Sequence, residues 1–219
     1  MKKMHKRAMA LCLTAALCSG LFAGCGGEKN TAENQQATEA QAADVQTESS
    51  DIYVEKIDGI SDDFIRGMDA SEVLSLENSG VKYYDYDGNE QDIFKTLADS
   101  GVNYIRLRVW NDPYDKDGNG YGGGNCDLNT AVELGKRATK YGMKVNIDFH
   151  YSDFWADPKR QNCPKAWEGM DLEQKKEALY QFTKDSLNTL LDAGVDVEMV
   201  QIGNEINYGL AGEKLQPNI

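Results

Sequence analysis

Four stretches of the chain carry apolar residues in short strand-like runs, and the segments between them show the three-and-four spacing of helices. Residues 64–69 read as a short strand ending on the polar Asp69, and 70–80 as the loop after it. Ile93, Phe94 and Leu97 suit one face of a helix over 92–100, stopped by Gly101. The next run, 102–110, alternates, with Ile105, Leu107 and Val109 on one face and Tyr104, Arg106, Arg108 and Trp110 on the other. Residues 111–125 are a loop rich in Gly and Asp. Asp127 then caps a helix to about Tyr141, with Leu128, Ala131, Val132 and Ala138 inward and Gly142 at its end. Residues 143–150 form a third strand, followed by a long aromatic loop reaching Trp167. Asp171 opens a long helix with Gln174 as a capping-box partner. Leu179, Phe182, Leu187 and Leu190 fall on or near its buried side, and Gly194 closes it. The fourth run, Val197-Glu198-Met199-Val200-Gln201-Ile202, breaks at Gly203-Asn204-Glu205. That is the pattern of a buried strand delivering a carboxyl group to the open end of a barrel.

One join recurs: a helix end, Gly, then an apolar strand starter, at Gly101-Val102, Gly142-Met143 and Gly194-Val195. Strand, long loop, helix, short join, strand is the rhythm of a parallel βα fold with right-handed crossovers. The loops after the strands are long and aromatic and those before them short and plain, which favours a barrel with a ligand face over an open sheet. The fold class is therefore α/β, a (β/α)8 TIM barrel. Such a barrel takes about 250 residues, so residues 51–219 read as its N-terminal part, about the first four βα units, with two sheet edges exposed.

Composition adds an address. Lys2, Lys3, His5, Lys6 and Arg7 precede a short apolar stretch that ends in Leu21-Phe22-Ala23-Gly24-Cys25. Residues 1–24 read as a lipoprotein signal peptide with Cys25 as the lipidated first residue; an ordinary cleaved secretory signal is the alternative. Residues 25–50 are Gln, Ala, Thr, Glu, Asn and Ser with little to bury, a disordered tether. The formal charge is −13, and removing 1–24 leaves 19 basic against 36 acidic side chains, a net −17. Such a surface argues against a nucleic-acid partner and suits a neutral substrate. Five Cys and two His contain no metal pattern. The 115–120 segment begins like a calcium loop, but Cys126 stands where the bidentate carboxylate is needed, so it reads as a turn. Cys126 and Cys163 belong to the folded part, and the sequence leaves open whether they are bridged.

The candidate chemistry gathers at the strand ends. Glu205 is read as a proton donor; a helix-start carboxylate is the bland alternative. Asn204 is either a ligand-binding amide or a capping residue. Arg106 and Arg108 share one strand face, and at least one of them needs a carboxylate inside the barrel, with Asp148 the natural partner and Arg106 read as steadying the catalytic carboxylates. His150 opens the third loop and is read as facing a ligand, against a structural role. Trp110, Trp155 and Trp167 are candidate aromatic platforms for a ligand. Asp69, Tyr151, Asp153 and Asp157 are candidate readers of hydroxyl groups.

Several segments together carry a resemblance: Arg66-Gly67-Met68-Asp69-Ala70-Ser71, the strand 104–110, Tyr121-Gly122-Gly123-Gly124-Asn125, the run 148–158 (Asp-Phe-His-Tyr-Ser-Asp-Phe-Trp-Ala-Asp-Pro), Pro164-Lys165-Ala166-Trp167 and Gln201-Ile202-Gly203-Asn204-Glu205-Ile206-Asn207. They resemble glycoside hydrolase family 53, the arabinogalactan endo-β-1,4-galactanases, over about residues 63–212. The 148–158 run is specific to that family, whereas Gly-Asn-Glu alone points only to its wider clan. The resemblance implies a (β/α)8 barrel that cleaves internal β-1,4-galactosyl bonds of pectic galactan with retention. It implies Glu205 as acid/base at the end of strand four and a nucleophile Glu at the end of strand seven, absent from these residues. It implies Asn204 at the sugar 2-hydroxyl. It implies no cofactor, with calcium confined to later loops of some relatives. The partners it implies are galactan and, through Cys25, the membrane. Another retaining β-endoglycanase of the clan, or a non-catalytic surface glycan-binding lipoprotein, are the competing readings.

Overall fold

The computed structural model describes residues 57–214; the signal segment, Cys25 and the tether lie outside them. Its centre is a four-stranded parallel sheet in sequential order: β1 (Gly67–Asp69), β2 (Tyr104–Val109), β3 (Lys144–Phe149) and β4 (Val197–Ile202). Between them run α1 (Val73–Asn78), α2 (Ile93–Asp99), α3 (Leu128–Lys140) and α4 (Leu172–Asp192), and a small antiparallel pair, β5 (Gly209–Leu210) and β6 (Glu213–Lys214), follows β4. This succession is that of a (β/α)8 barrel, of which the described residues hold the first four strands.

The alternating pattern decides which side of the sheet packs. Ile105, Leu107 and Val109 of β2 and Val145, Ile147 and Phe149 of β3 face the helices and are at most 1% exposed. Each such burial stabilises by about 1.5–3 kcal/mol. Phe94 of α2, Ala131, Leu134 and Ala138 of α3 and Leu190 of α4 close over them. Asp127 caps α3 by accepting from the Thr130 N–H, and Asp171 and Gln174 form a reciprocal capping box on α4. Gly135 of α3 is inward because a Cβ there would lie 2.7 Å from Val195 Cγ1, so α3 meets the chain entering β4 at van der Waals limits.

Two expectations fail. Residues 70–80 are not a plain loop, since they contain α1. That helix has no capping side chain and only six residues, too few for a periodic signal. It is held from outside: Arg137 of α3 donates twice to Glu77 at 2.7 Å, once to the α2 cap Asp92 at 2.8 Å, and lies over the Phe94 ring. Nor is β4 buried. It is the edge of the described sheet, and Val200 and Ile202, in register with Ile147 and Phe149, are 38% and 51% exposed. Among the described residues no helix follows β4 to cover them.

Two surface turns are built alike. Tyr84-Asp85-Tyr86-Asp87-Gly88-Asn89-Glu90 and Tyr114-Asp115-Lys116-Asp117-Gly118-Asn119-Gly120 each close with an antiparallel bridge between their end residues. In each, the first Asp accepts from the backbone N–H groups two and four positions on, at 2.8–3.0 Å. Gly88 and Gly118 share a φ of +83°, which a side chain would oppose. Asp115 spends its carboxylate on the loop itself, so 115–120 is the turn its sequence predicts.

Candidate active site

The face of the sheet opposite the helices carries polar residues in matching register. Asp69 pairs with Arg106, Arg108 with Asp148, and Asp148 with Gln201. An arginine inside a sheet surface must be neutralised, and Arg106 is met from every neighbouring strand. Its Nη1 donates to Asp69 Oδ2 and its Nη2 to Asp148 Oδ2, both at 2.5 Å. Nη2 also donates to Asn204 Oδ1 at 3.0 Å, and Nε to Gln201 Oε1 at 3.2 Å. Of the two arginines that could have met Asp148, it is Arg106 that does. Asp69 experiences burial, which raises its pKa, but hydrogen bonds from the Ser71 hydroxyl and N–H and the charges of Arg108 and Arg106 outweigh it. The net shift is downward.

Asn204 lies at the end of β4, 9% exposed, with its amide fixed at both ends. Its Oδ1 accepts from Arg106 and Gln201, and its Nδ2 donates to the Ala156 carbonyl at 2.7 Å. Glu205 follows it, exposed and with a left-handed φ of +50°. Its carboxyl group is exposed because β4 is the uncovered edge of the described sheet. Gln161 Nε2 from the loop after β3 donates to the carbonyls of both Asn204 and Glu205, at 2.9 and 3.3 Å.

The other predicted residues divide. His150 is 0% exposed and does not face a ligand. Its Nδ1 accepts from the Ala156 N–H at 3.1 Å, which assigns the proton to Nε2, and Nε2–H donates to Asp148 Oδ2 at 3.0 Å. It is a satisfied histidine that steadies Asp148 from behind. Tyr151 is also fully buried: its ring stacks on Phe149 and its hydroxyl meets Thr183 of α4, so it belongs to the core between sheet and helices. Trp167, 6% exposed, joins it there. Trp110 is 0% exposed, packed edgewise on His150, Phe154 and Trp155. None of these three rings is a free platform, because the long loops after β2 and β3 pack on one another. Trp155 alone of the three tryptophans keeps an open face, at 36% exposed, with the Arg108 guanidinium 4.2 Å from its centroid. Gly123 fits beneath this pair only for want of a side chain, since a Cβ would sit 3.1 Å from Trp110 and 3.2 Å from Trp155.

Asp153 is a loop staple, not a free acceptor. It accepts from the N–H groups of Asp112 and Lys165, and burial pushes its pKa up despite them. Asp157 similarly caps a tight turn through Lys159 and Arg160, whose hydrogen bonds hold its pKa down. Cys126 and Cys163 are free thiols. Among the described residues no group of three or more His, Cys, Asp or Glu is arranged to hold a metal. Gln161 and Gln201 were not singled out by sequence; only the strand register with Asp148 would have drawn attention to Gln201.

A cleft of about 740 Å³ opens beside this row, between the loops after β2, β3 and β4, lined among others by Tyr121, Phe154, Gln161 and Tyr208. Glu205 does not line it but adjoins it through Gln161. The arrangement sets an exposed carboxylate and an oriented amide beside a guanidinium-neutralised polar floor, which is suited to acid–base work on a neutral polar substrate.

Known proteins bear on this site. Residues 65–218 match the model of glycosyl hydrolase family 53. The chain is 57% identical to an endo-β-1,4-galactanase of Bacillus subtilis over 165 residues, 75% of this chain and 38% of that one. It is 41% identical to an arabinogalactan endo-β-1,4-galactanase of Humicola insolens, covering 66% and 41%. Among solved structures, the family 53 catalytic domain of Ignisphaera aggregans superposes with a TM-score of 0.70 at 48% identity, covering 72% of this chain and 44% of that one. A fungal β-1,4-galactanase gives 0.61 at 42% identity, covering 67% and 42%. The chain thus spans about two fifths of the length of the curated relatives it matches. On this match, the chain belongs to glycosyl hydrolase family 53.

Proposed function

We propose that the protein takes part in the endo-hydrolysis of β-1,4-galactosidic bonds in the galactan side chains of pectin, with retention of configuration. The observation that carries this is the Asn204-Glu205 pair at the open end of β4, its amide locked by Arg106 and its carboxyl group left free toward solvent. In this reading Glu205 protonates the leaving oxygen and then, as carboxylate, takes the proton of the attacking water. Retention requires a second carboxylate about 5–5.5 Å away as nucleophile, which the reading assigns to the part of the relatives outside the matched span. Asn204 keeps one Nδ2–H for a sugar hydroxyl, and Trp155 offers an aromatic face. Cys25 is proposed as a lipid anchor that holds the enzyme at the cell surface. The Bacillus and Humicola relatives, named for activity on this linkage, support the substrate.

The test is release of reducing ends from β-1,4-galactan by the native protein, with the anomer of the first product read by NMR. Glu205→Gln should abolish release, and the β-anomer should form first. Galactan binding without turnover, unchanged by Glu205→Gln, would replace this reading with a glycan-binding role. Labelling with a radioactive fatty acid should disappear in Cys25→Ala; persistence would remove the anchor.

A further inference from the structure

We propose that Gln161 is a positioning residue for Glu205, holding its backbone in the left-handed conformation that aims the carboxyl group. This rests on the reading of Glu205 as the acid.

A glutamate at φ +50° is costly, and such a residue persists only where its surroundings over-determine it. Ala211, in the same segment after β4, is held in the same region at φ +51°. Gln161 is the side chain that reaches this loop from across the cleft. Its Nε2 faces three carbonyl oxygens, those of Asp157 at 3.1 Å, Asn204 at 2.9 Å and Glu205 at 3.3 Å. Only the donor end of an amide can face three acceptors, so the orientation of the group is fixed by chemistry. With two N–H bonds for three oxygens, one is shared.

The backbone of Gln161 grips the same loop from its other side, accepting from the Gly212 N–H at 2.7 Å. Gly212 lets the loop come this close, since a Cβ there would lie 2.8 Å from Cys163 Cβ. The base of the clamp is firm, because Gln161 follows directly on the turn that Asp157 closes through reciprocal hydrogen bonds with Arg160. The loop after β3 therefore sets the peptide planes on both sides of Glu205, whereas Arg106 sets only the side chain of Asn204.

The test uses the native protein together with the part that carries the nucleophile, and two variants of it. Gln161→Leu removes the donor, and Gln161→Glu keeps the length but turns oxygen lone pairs toward three carbonyls. The three-bond HN–Hα coupling of Glu205, which reports φ, is compared with the parent. Turnover is measured on β-1,4-galactan and on an aryl β-galactobioside whose leaving group needs no protonation. The coupling should move away from its left-handed value in both variants. Galactan turnover should fall by up to about 100-fold, the loss expected of a misplaced catalytic group, with KM little changed and the aryl substrate spared. An unchanged coupling overturns the proposal. So does an equal loss on both substrates, which marks general damage. If one variant does not fold, the other decides. If the parent cleaves neither substrate, the functional reading fails and the coupling alone judges the clamp.

Discussion

Arg106→Met tests the claim that one guanidinium holds the polar floor of the sheet together. Asp148 is 0% exposed, and its Oδ2 takes a proton bond from Arg106 and another from a neutral His150. Removing Arg106 leaves a buried carboxylate facing only the imidazole N–H. Breaking a buried pair from one side costs about 3–5 kcal/mol. Arg106 is itself 29% exposed, so water replaces part of what is lost, and the lower end, about 3 kcal/mol, is expected. With a urea dependence of about 2 kcal/mol per molar, the unfolding midpoint should fall by about 1.5 M. The assay is urea unfolding followed by tryptophan fluorescence. Adding Asp148→Asn to Arg106→Met removes the stranded charge and should recover more than about 1 kcal/mol. A loss within about 1 kcal/mol, together with a double variant no more stable than the single one, would refute the argument.

Three further outcomes are expected. Gly135→Ala should lower Tm despite the better helix propensity of Ala, because overpacking against Val195 costs about 1–3 kcal/mol, and Val195→Ala in the same chain should restore part of it. Asp69 has a folded pKa below its unfolded one, so its contribution is present above about pH 4 and lost as pH falls through the depressed folded value. Asp69→Asn should accordingly flatten the acid limb of a stability–pH curve measured by urea midpoints. Cys126, buried and with its thiol pushed up to about 12, should resist iodoacetamide in the native protein while the partly exposed Cys163 labels first, as read by peptide mass mapping.

The strands, the two long helices and their caps were legible because each rests on a local signal. The alternation in 102–110, the Asp171/Gln174 box and the three glycine joins all speak within a few residues. The α1 helix was not, since its support comes from Arg137, 60 residues away. Among site residues, a carboxylate partner for one of the two strand arginines followed from the cost of an unpaired cation, and it is Arg106 that takes Asp148. The roles given to His150, Tyr151, Trp110 and Trp167 did not survive. Residue type announces chemistry, but which way a loop aromatic turns depends on how two long loops pack, and alternation ends where the strand does. Gln161 escaped notice because a glutamine in a loop carries no pattern; its meaning lies in which carbonyls happen to converge on it.

The twin turns at 84–90 and 114–120 have a practical use. Their shape is written in one Asp, one Gly and one Asn, and every bond that closes them is internal. At position 116 the residue after the first Asp reaches only its neighbour Asp117, and the Lys side chain is 88% exposed, whereas Tyr86 in the sister turn touches Ser100. Position 116 is thus a ready attachment point. A fluorophore, a tag or a short inserted peptide placed there reports on the protein without disturbing the strand ends where the chemistry is read.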